Sequence, residues 1–168
     1  GQKDLVRLAP VLAAEDLDYR VRQAAVWIVT DDATDAEIAG LSIRFIYETS
    51  WNRAITPVDV ARGLRLCAEA GVEVTTKRIW GDRWSLYAEL LRNQEQDLRL
   101  WFESRGVDFD GAVAALGDPE VSVRTAAANA LGLLGDPRAV EPLCALLGEE
   151  NYFLLGSVTG ALANLRDP

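Results

Sequence analysis

The sequence predicts an all-α protein, a helical solenoid of stacked helix pairs that carries an aromatic-rich helical insert. The main observation is a repeat, since the amphipathic pattern that begins at Val123 returns 31 residues later at Leu154. The second is the chemistry of the turns Gly117-Asp118-Pro119 and Gly135-Asp136-Pro137, where glycine follows one helix and proline opens the next. A fixed period near 30 residues is typical of solenoids, whose units bury their apolar faces against their neighbours.

The C-terminal part, 108–168, is predicted to contain two helix pairs. The four helices are expected at 109–117, 120–134, 137–148 and 151–165. Small residues at 126–130 let neighbouring helices approach closely. The chain stops at Asp167-Pro168, where a further helix pair would begin. We therefore expect a truncated array that is part of a larger protein.

These residues resemble the HEAT-repeat family, specifically its short bacterial form, the phycobilisome-lyase type. The resemblance is carried over 109–168 by the two Leu-Gly-Asp-Pro turns, the Val123-Arg124 pair, the alanine-rich second helix and the segment 138–143. It implies a protein-binding scaffold whose second helices line the inner surface. It also implies a structural ladder between adjacent units, in which Asp118 and Arg124 take part.

The last predicted unit departs from the family pattern. Leu155 stands where the ladder arginine should be, and Glu149 stands where the aspartate should be. The departure leaves two interpretations of the segment Tyr152-Phe153-Leu154-Leu155. It is either a packed end of the array or an exposed apolar contact patch.

The N-terminal part, 1–30, carries a fainter copy of the pattern. Asp16 and Arg22 show the same spacing as Asp118 and Arg124, and an apolar run follows them. Helices are expected at 4–15 and 18–30. This part is therefore predicted to be a degenerate helix pair, with Asp16 and Arg22 as its ladder residues.

The middle of the chain, 31–107, does not fit the repeat and is predicted to be an irregular helical insert or a small helical domain. Helices are expected to begin at the capping signals Thr34, Thr56-Pro57 and Asp82. A further helix is expected at 95–105, and the β-branched run 72–76 is expected to be extended or irregular. Most of the aromatic residues lie in this insert.

Composition limits the classes of function. The net charge of −9 disfavours binding to nucleic-acid phosphates and favours a basic protein partner through electrostatic steering. No apolar run is long enough to span a membrane, and the expected location leans to the cytoplasm. The chain contains no histidine, the commonest metal ligand and general base, so we expect no catalytic site, metal or cofactor.

The two cysteines and the clustered carboxylates are predicted to have structural roles. Cys67 and Cys144 each share a helical stripe with apolar residues, so both thiols are predicted to be buried. The acidic cluster after the 18–30 helix consists of Asp31, Asp32, Asp35 and Glu37. Its spacing fits helix capping and lacks the alternating ligands and the glycine of a calcium loop.

The densest basic and aromatic cluster, 77–84, is one candidate partner surface. It consists of Arg78, Trp80, Arg83 and Trp84 together with their neighbours. Arginine beside tryptophan is typical of interface hot spots. The alternative is a loop whose tryptophans anchor it in the core while its charges face water. Thr125 and Asn129, on the predicted inner surface of the 120–134 helix, form a second candidate surface.

Gln23 supports an alternative hypothesis of another class. The segment Gln23-Ala24-Ala25-Val26-Trp27 is similar to the glutamine motif of bacterial thioester domains, which crosslink through a Cys–Gln thioester. Under this hypothesis the chain is a subdomain of a larger surface protein or enzyme. That chemistry requires a nearby cysteine, and none precedes Gln23. The simpler interpretation is a helix face with Trp27 buried.

Overall fold

A computed structural model describes residues 1–48 and 54–166, with side chains described outside 42–48. The described residues form α-helices and short 3₁₀ turns, and no strand occurs among them, which confirms the predicted all-α class. The helices are α1 Gln2–Leu12, α2 Tyr19–Thr30, α3 Asp35–Glu48, α4 Pro57–Glu69, α5 Arg83–Arg92, α6 Gln96–Glu103, α7 Phe109–Ala115, α8 Val121–Leu134, α9 Val140–Cys144 and α10 Tyr152–Asn164. The 3₁₀ turns are Val74–Thr76, Arg78–Asp82 and Pro137–Ala139. The predicted end of the array at Asp167-Pro168 lies outside the described residues.

The chain forms two compact units, Gly1–Asp82 and Arg83–Pro168. The boundary between them lies inside the segment predicted as the insert, 31–107. The two units are defined by contacts in space. The predicted segments 1–30, 31–107 and 108–168 are instead defined by whether their sequence follows the helix-pair repeat. The three-part organisation therefore stays a prediction.

In the first unit, α2 packs against α4 at short range. Gly63 makes this possible, because a Cβ atom built on it would lie 2.9 Å from the backbone nitrogen of Ala25 and 3.0 Å from Cβ of Ala24. Cys67, one turn further along α4, is fully buried and donates its thiol to the carbonyl of Ala25 at 3.6 Å. Small residues on both helices thus bring the two backbones together.

Side-chain caps determine where the helices of the first unit begin. Thr56 and Asp59 form a reciprocal capping box at the start of α4, as the sequence predicts. Asp18 caps α2 by accepting from the backbone N–H of Arg20 at 2.8 Å. Its carboxylate also accepts two hydrogen bonds from the Arg20 guanidinium, and these contacts lower the pKa of Asp18 to about 2. The capping aspartate therefore stays ionised well into the acid range.

In the second unit, α8 is the central helix, and α5, α7 and α10 all pack against it. The crossing of α8 and α10 is close, because a Cβ atom built on Gly132 would lie 2.6 Å from Cα of Ala161. The fully buried face of α8 consists of Ala127, Ala128, Ala130 and Leu131. These small residues give α8 room for neighbours on several sides, as expected for a helix inside a stacked array.

The helix predicted at 137–148 is shorter than expected. A 3₁₀ turn over Pro137–Ala139 leads into α9, which ends at Cys144. Beyond it, the N–H groups of Leu146 and Leu147 donate to the carbonyls three residues earlier, which is the tighter 3₁₀ pattern. The apolar periodicity over 137–148 therefore predicts a longer α-helix than the one that forms.

The prediction that Cys144 is buried is wrong. Leu143 is fully buried, but Cys144 is exposed, together with Val140 and Leu147 of the same apolar stripe. Only the Leu143 side of the short α9 is covered, so the rest of the stripe faces solvent. By contrast, Cys67 is buried as predicted, and desolvation raises the pKa of its thiol to about 12.

The two thiols are expected to react at very different rates with a maleimide reagent. Cys144 should be labelled in the native protein, whereas Cys67 should be labelled only when the first unit opens, because the reactive species is an exposed thiolate. Mass spectrometry of labelled peptides, with Cys144→Ser as the control, measures both rates. Labelling of Cys67 as fast as Cys144 under native conditions would contradict the buried position.

Candidate functional site

Arg78 of the predicted 77–84 cluster is held by contacts within the first unit. Its guanidinium forms a two-point pair with Glu37, with Nη2 at 2.9 Å from Oε1 and Nη1 at 3.1 Å from Oε2. The backbone N–H of Arg78 also donates to the carboxylate of Asp32 at 3.0 Å. Hydrogen bonds from the backbone of Thr34 and from Arg78 lower the pKa of Glu37. Arg78 therefore ties its turn to the start of α3, and its partner-binding role stays a prediction.

The tryptophans of the cluster differ in burial and belong to different units. Trp80 is half-buried in the first unit, whereas Trp84 is only 3% exposed in the second. Trp84 makes an edge-to-face contact with Tyr87, with ring centroids 6.2 Å apart, and the Arg83 guanidinium lies 5.8 Å from the Trp84 ring. This burial favours the alternative that Trp84 anchors its segment in the core.

Arg124, one of the predicted ladder residues, connects its own turn with the next one. Its Nη1 donates to the carbonyl of Asp118 at 2.9 Å, and its Nη2 lies 3.6 Å from Oε2 of Glu149. Glu149 stands where the family pattern has an aspartate. The ion pair between Arg124 and the following turn therefore forms with a glutamate, whose side chain is one methylene longer. The Asp118 carboxylate instead accepts from the backbone N–H of Glu120 at 2.9 Å. The ladder assignment itself stays a prediction.

Arg22 lies in surroundings similar to those of Arg124. Its Nη2 donates to the carbonyl of Ala14 at 3.1 Å, and the Nε atoms of both arginines are buried without a hydrogen-bond partner. Asp16 is exposed, and its carboxylate has no hydrogen bond with the described residues. The degenerate helix pair at 1–30, with its ladder residues Asp16 and Arg22, stays a prediction.

A groove of about 460 Å³ lies over α8 and α10 in the second unit. It is lined by Arg92, Asn129, Leu133, Tyr152, Phe153, Gly156, Ser157, Gly160, Ala161 and Asn164. Glycine, serine and alanine from α10 leave room there, while two aromatic residues stand at one end. The groove is therefore a shallow depression of mixed polar and apolar lining beside two large aromatic side chains.

Tyr152 and Phe153 are the most exposed of the large apolar side chains that the structure describes, at 88% and 84%. Leu154, next to them in α10, is fully buried against the core. The structure divides this segment, because Leu154 is packed in the core whereas the two aromatic side chains are exposed. That these aromatics form a contact patch stays a prediction. Exposed aromatic pairs beside a groove are typical of interaction surfaces.

The polar lining of the groove includes two unpaired carboxamides. Neither Asn129 nor Asn164 makes a side-chain hydrogen bond with the described residues. Arg92 pairs with Glu89 one turn earlier in α5, and no carboxylate lines the groove. Thr125 does not line it, and its hydroxyl donates to the carbonyl of Val121 at 2.8 Å. Of the two predicted inner-surface residues, only Asn129 thus faces the groove.

Sequence reasoning missed the residues that α10 contributes to the groove floor, namely Gly156, Ser157, Gly160 and Asn164. One sequence signal could have found them. No charged residue lies between Glu150 and Arg166, although charged residues make up 26% of the chain. A helix that is both uncharged and partly exposed departs from the usual surface helix, whose outer face is charged or polar.

Two kinds of feature are absent from the described residues. No helix in the described part of the chain has both the length and the apolar composition needed to cross a membrane. Nor do three or more cysteine or carboxylate side chains come together there in a way that could hold a metal ion.

Comparison with known proteins identifies the C-terminal part of the chain. Residues 109–168 match the family model described as HEAT repeats. These residues, which contain α7 to α10, therefore belong to the HEAT-repeat family, as the sequence resemblance predicted. The short bacterial, phycobilisome-lyase type stays a prediction. HEAT repeats generally mediate protein–protein interaction. Neither the curated proteins nor the solved structures gave a match to the chain.

Proposed function

We propose that this chain is a non-enzymatic protein-binding module within a larger protein, and that the groove on α8 and α10 is its contact surface. The observation that carries the proposal is the position of Tyr152 and Phe153, which are almost fully exposed at the end of this groove. Aromatic residues supply much of the binding free energy at protein interfaces because they bury large apolar areas with few rotatable bonds.

Charge supports a division of roles between the groove and the rest of the surface. The chain carries a net charge of −9, which would accelerate encounter with a basic partner and slow encounter with acidic proteins. No carboxylate lines the groove, so the bound state would depend on the two aromatic side chains and on polar groups such as Asn129 and Asn164. We therefore expect salt to change the association rate with a basic partner more than the dissociation rate.

The absence of enzymatic chemistry is part of the proposal. The chain has no histidine, and its buried thiol, Cys67, donates to a backbone carbonyl within the core. The thioester hypothesis needs a reactive cysteine beside Gln23. The contacts and the raised pKa of Cys67 favour a packing role for it, so that hypothesis receives no support from this thiol.

Site-specific photocrosslinking tests the proposed surface. A photoreactive phenylalanine analogue replaces Phe153 in one sample and Leu100, which is 53% exposed on α6 outside the groove, in a matched control. After irradiation in a lysate of the source cells, we expect a protein crosslinked at position 153 and not at position 100. An excess of the unlabelled chain should suppress that crosslink. Identical products at both positions, or none at 153, would refute the groove as the contact surface.

A further inference from the structure

The register of the repeat separates the two exposed aromatic residues of α10. Gly132 of α8 packs against α10, and Ala163 occupies the same position one repeat later, 31 residues further along the chain. Tyr152 lies about three turns before Ala163 on the same side of α10. In a stacked array this side receives the following helix pair. Tyr152 therefore lies on the stacking side of α10, although its side chain also borders the groove.

Phe153 lies on another side of α10, the side that faces the groove. Phe153, Gly160 and Asn164 follow one another at about two turns and then one turn of the helix, and all three line the groove. Gly160 and Asn164 occupy the positions that Asn129 and Leu133 hold one repeat earlier, and these two residues also line the groove. The groove thus follows the same register in both repeats. A further helix pair stacked on α10 would leave this side open.

Polar side chains without an internal partner lie along this side. Neither the carboxamides of Asn129 and Asn164 nor the hydroxyl of Ser157 forms a hydrogen bond with the described residues. A carboxamide offers both donors and an acceptor, and so does a hydroxyl. Arg92, the charged residue of the lining, pairs with Glu89, and no carboxylate lines the groove. The groove is therefore complementary to an occupant that supplies donors and acceptors but little charge.

We propose that the groove binds an extended, uncharged segment of a partner protein. An apolar side chain of that segment packs on the Phe153 ring, and its backbone bonds to Asn129 and Asn164. The inference rests on the proposed function, since it names the occupant of the same surface. An extended chain presents unpaired N–H and C=O groups, whereas a helix pairs these groups internally. Only an extended segment therefore offers backbone partners to both carboxamides.

Charge assigns different parts of the partner to different steps of binding. The net charge of −9 attracts basic residues of the partner, but the groove holds no carboxylate that could pair with them. Basic residues are therefore expected to flank the bound segment. Removing them should slow association, whereas changes within the segment should accelerate dissociation.

Peptides selected on the protein itself test the inference. A library of random short peptides displayed on phage is selected on the 168-residue chain, and fluorescence anisotropy measures the dissociation constants of the synthetic peptides. We expect Phe153→Ala to raise the dissociation constant by about tenfold or more, since an anchor ring is lost. Asn129→Ala should raise it by about threefold to tenfold, the usual loss when a hydrogen bond between neutral groups is removed. Circular dichroism confirms that each variant stays folded.

Ala163→Gln is the matched control within α10. Ala163 is exposed on the stacking side and does not line the groove, so a longer uncharged side chain there should change the dissociation constant by less than about twofold. Leu100→Ala, outside the groove on α6, should be equally neutral. If Ala163→Gln weakens binding as much as Phe153→Ala does, the peptides occupy the stacking side and the inference is wrong.

The conformation of the bound peptide is measured separately. Alanine substitutions along an extended peptide should weaken binding at alternate positions, because successive side chains point to opposite sides. A bound helix would instead show sensitive positions three or four residues apart, and the far-ultraviolet circular dichroism of the mixture would gain helical signal. Either result would overturn the extended occupant.

The remaining outcomes separate this inference from the proposed function. The inference fails if no selected peptide binds, or if the peptides bind the Phe153→Ala and Asn129→Ala variants as tightly as the original chain. If position 153 still gives a specific crosslink to a protein in that case, the groove remains a contact surface and only its occupant is wrong. If neither peptide binding nor crosslink is found, both proposals fail.

Discussion

Replacing Trp84 by alanine is expected to destabilise the second unit by about 3–5 kcal/mol, the cost of removing a large buried aromatic side chain. Trp84 is only 3% exposed, and its ring packs edge-to-face on Tyr87. Its side chain also reaches the start of α7, where Cη2 would lie 3.1 Å from a Cβ atom built on Gly111. Chemical denaturation, monitored by circular dichroism, measures the loss in the free energy of unfolding.

The matched control is Leu100→Ala, because Leu100 is a large apolar residue of the same unit that is about half exposed. It should cost less than about 1 kcal/mol, as is usual for a surface substitution. If Trp84→Ala proves as stable as this control and loses a bound protein, Trp84 is a contact residue and the packing interpretation is wrong.

Replacing Gly132 by alanine is expected to destabilise the same unit by about 1–3 kcal/mol, as overpacking of a close contact does. The added Cβ atom would lie 2.6 Å from Cα and 2.8 Å from Cβ of Ala161, so α8 and α10 must move apart. The effect opposes helix propensity, which by itself favours alanine over glycine by about 1 kcal/mol. Thermal and urea unfolding measure the net change.

Gly156→Ala is the control for this prediction. Gly156 lies within α10, and a Cβ atom built on it meets nothing within 4 Å. Alanine there should therefore stabilise the unit by up to about 1 kcal/mol, through helix propensity alone. If Gly132→Ala stabilises the protein as much as Gly156→Ala does, the two helices are not as close as the structure shows.

The helices and their starting points could be predicted from sequence because their signals are local. Thr56 and Asp59 lie three residues apart and satisfy each other's backbone N–H groups, so the start of α4 requires no distant contact. The 31-residue repeat similarly identifies the HEAT segment, since its turns and periodic apolar positions are read within one unit. The sequence by itself therefore determined the all-α class and the family of the C-terminal part.

Only the tertiary structure decided which apolar side chains are covered. Cys144 and Leu143 are adjacent in one apolar stripe, yet one is exposed and the other buried. Trp84 was a candidate contact residue and lies in the core, whereas Phe153 faces solvent beside the groove. Periodicity shows that a helix has an apolar face, but burial depends on which neighbours pack against that face. Those neighbours come from elsewhere in the chain, and their positions are set by the packing of whole helices.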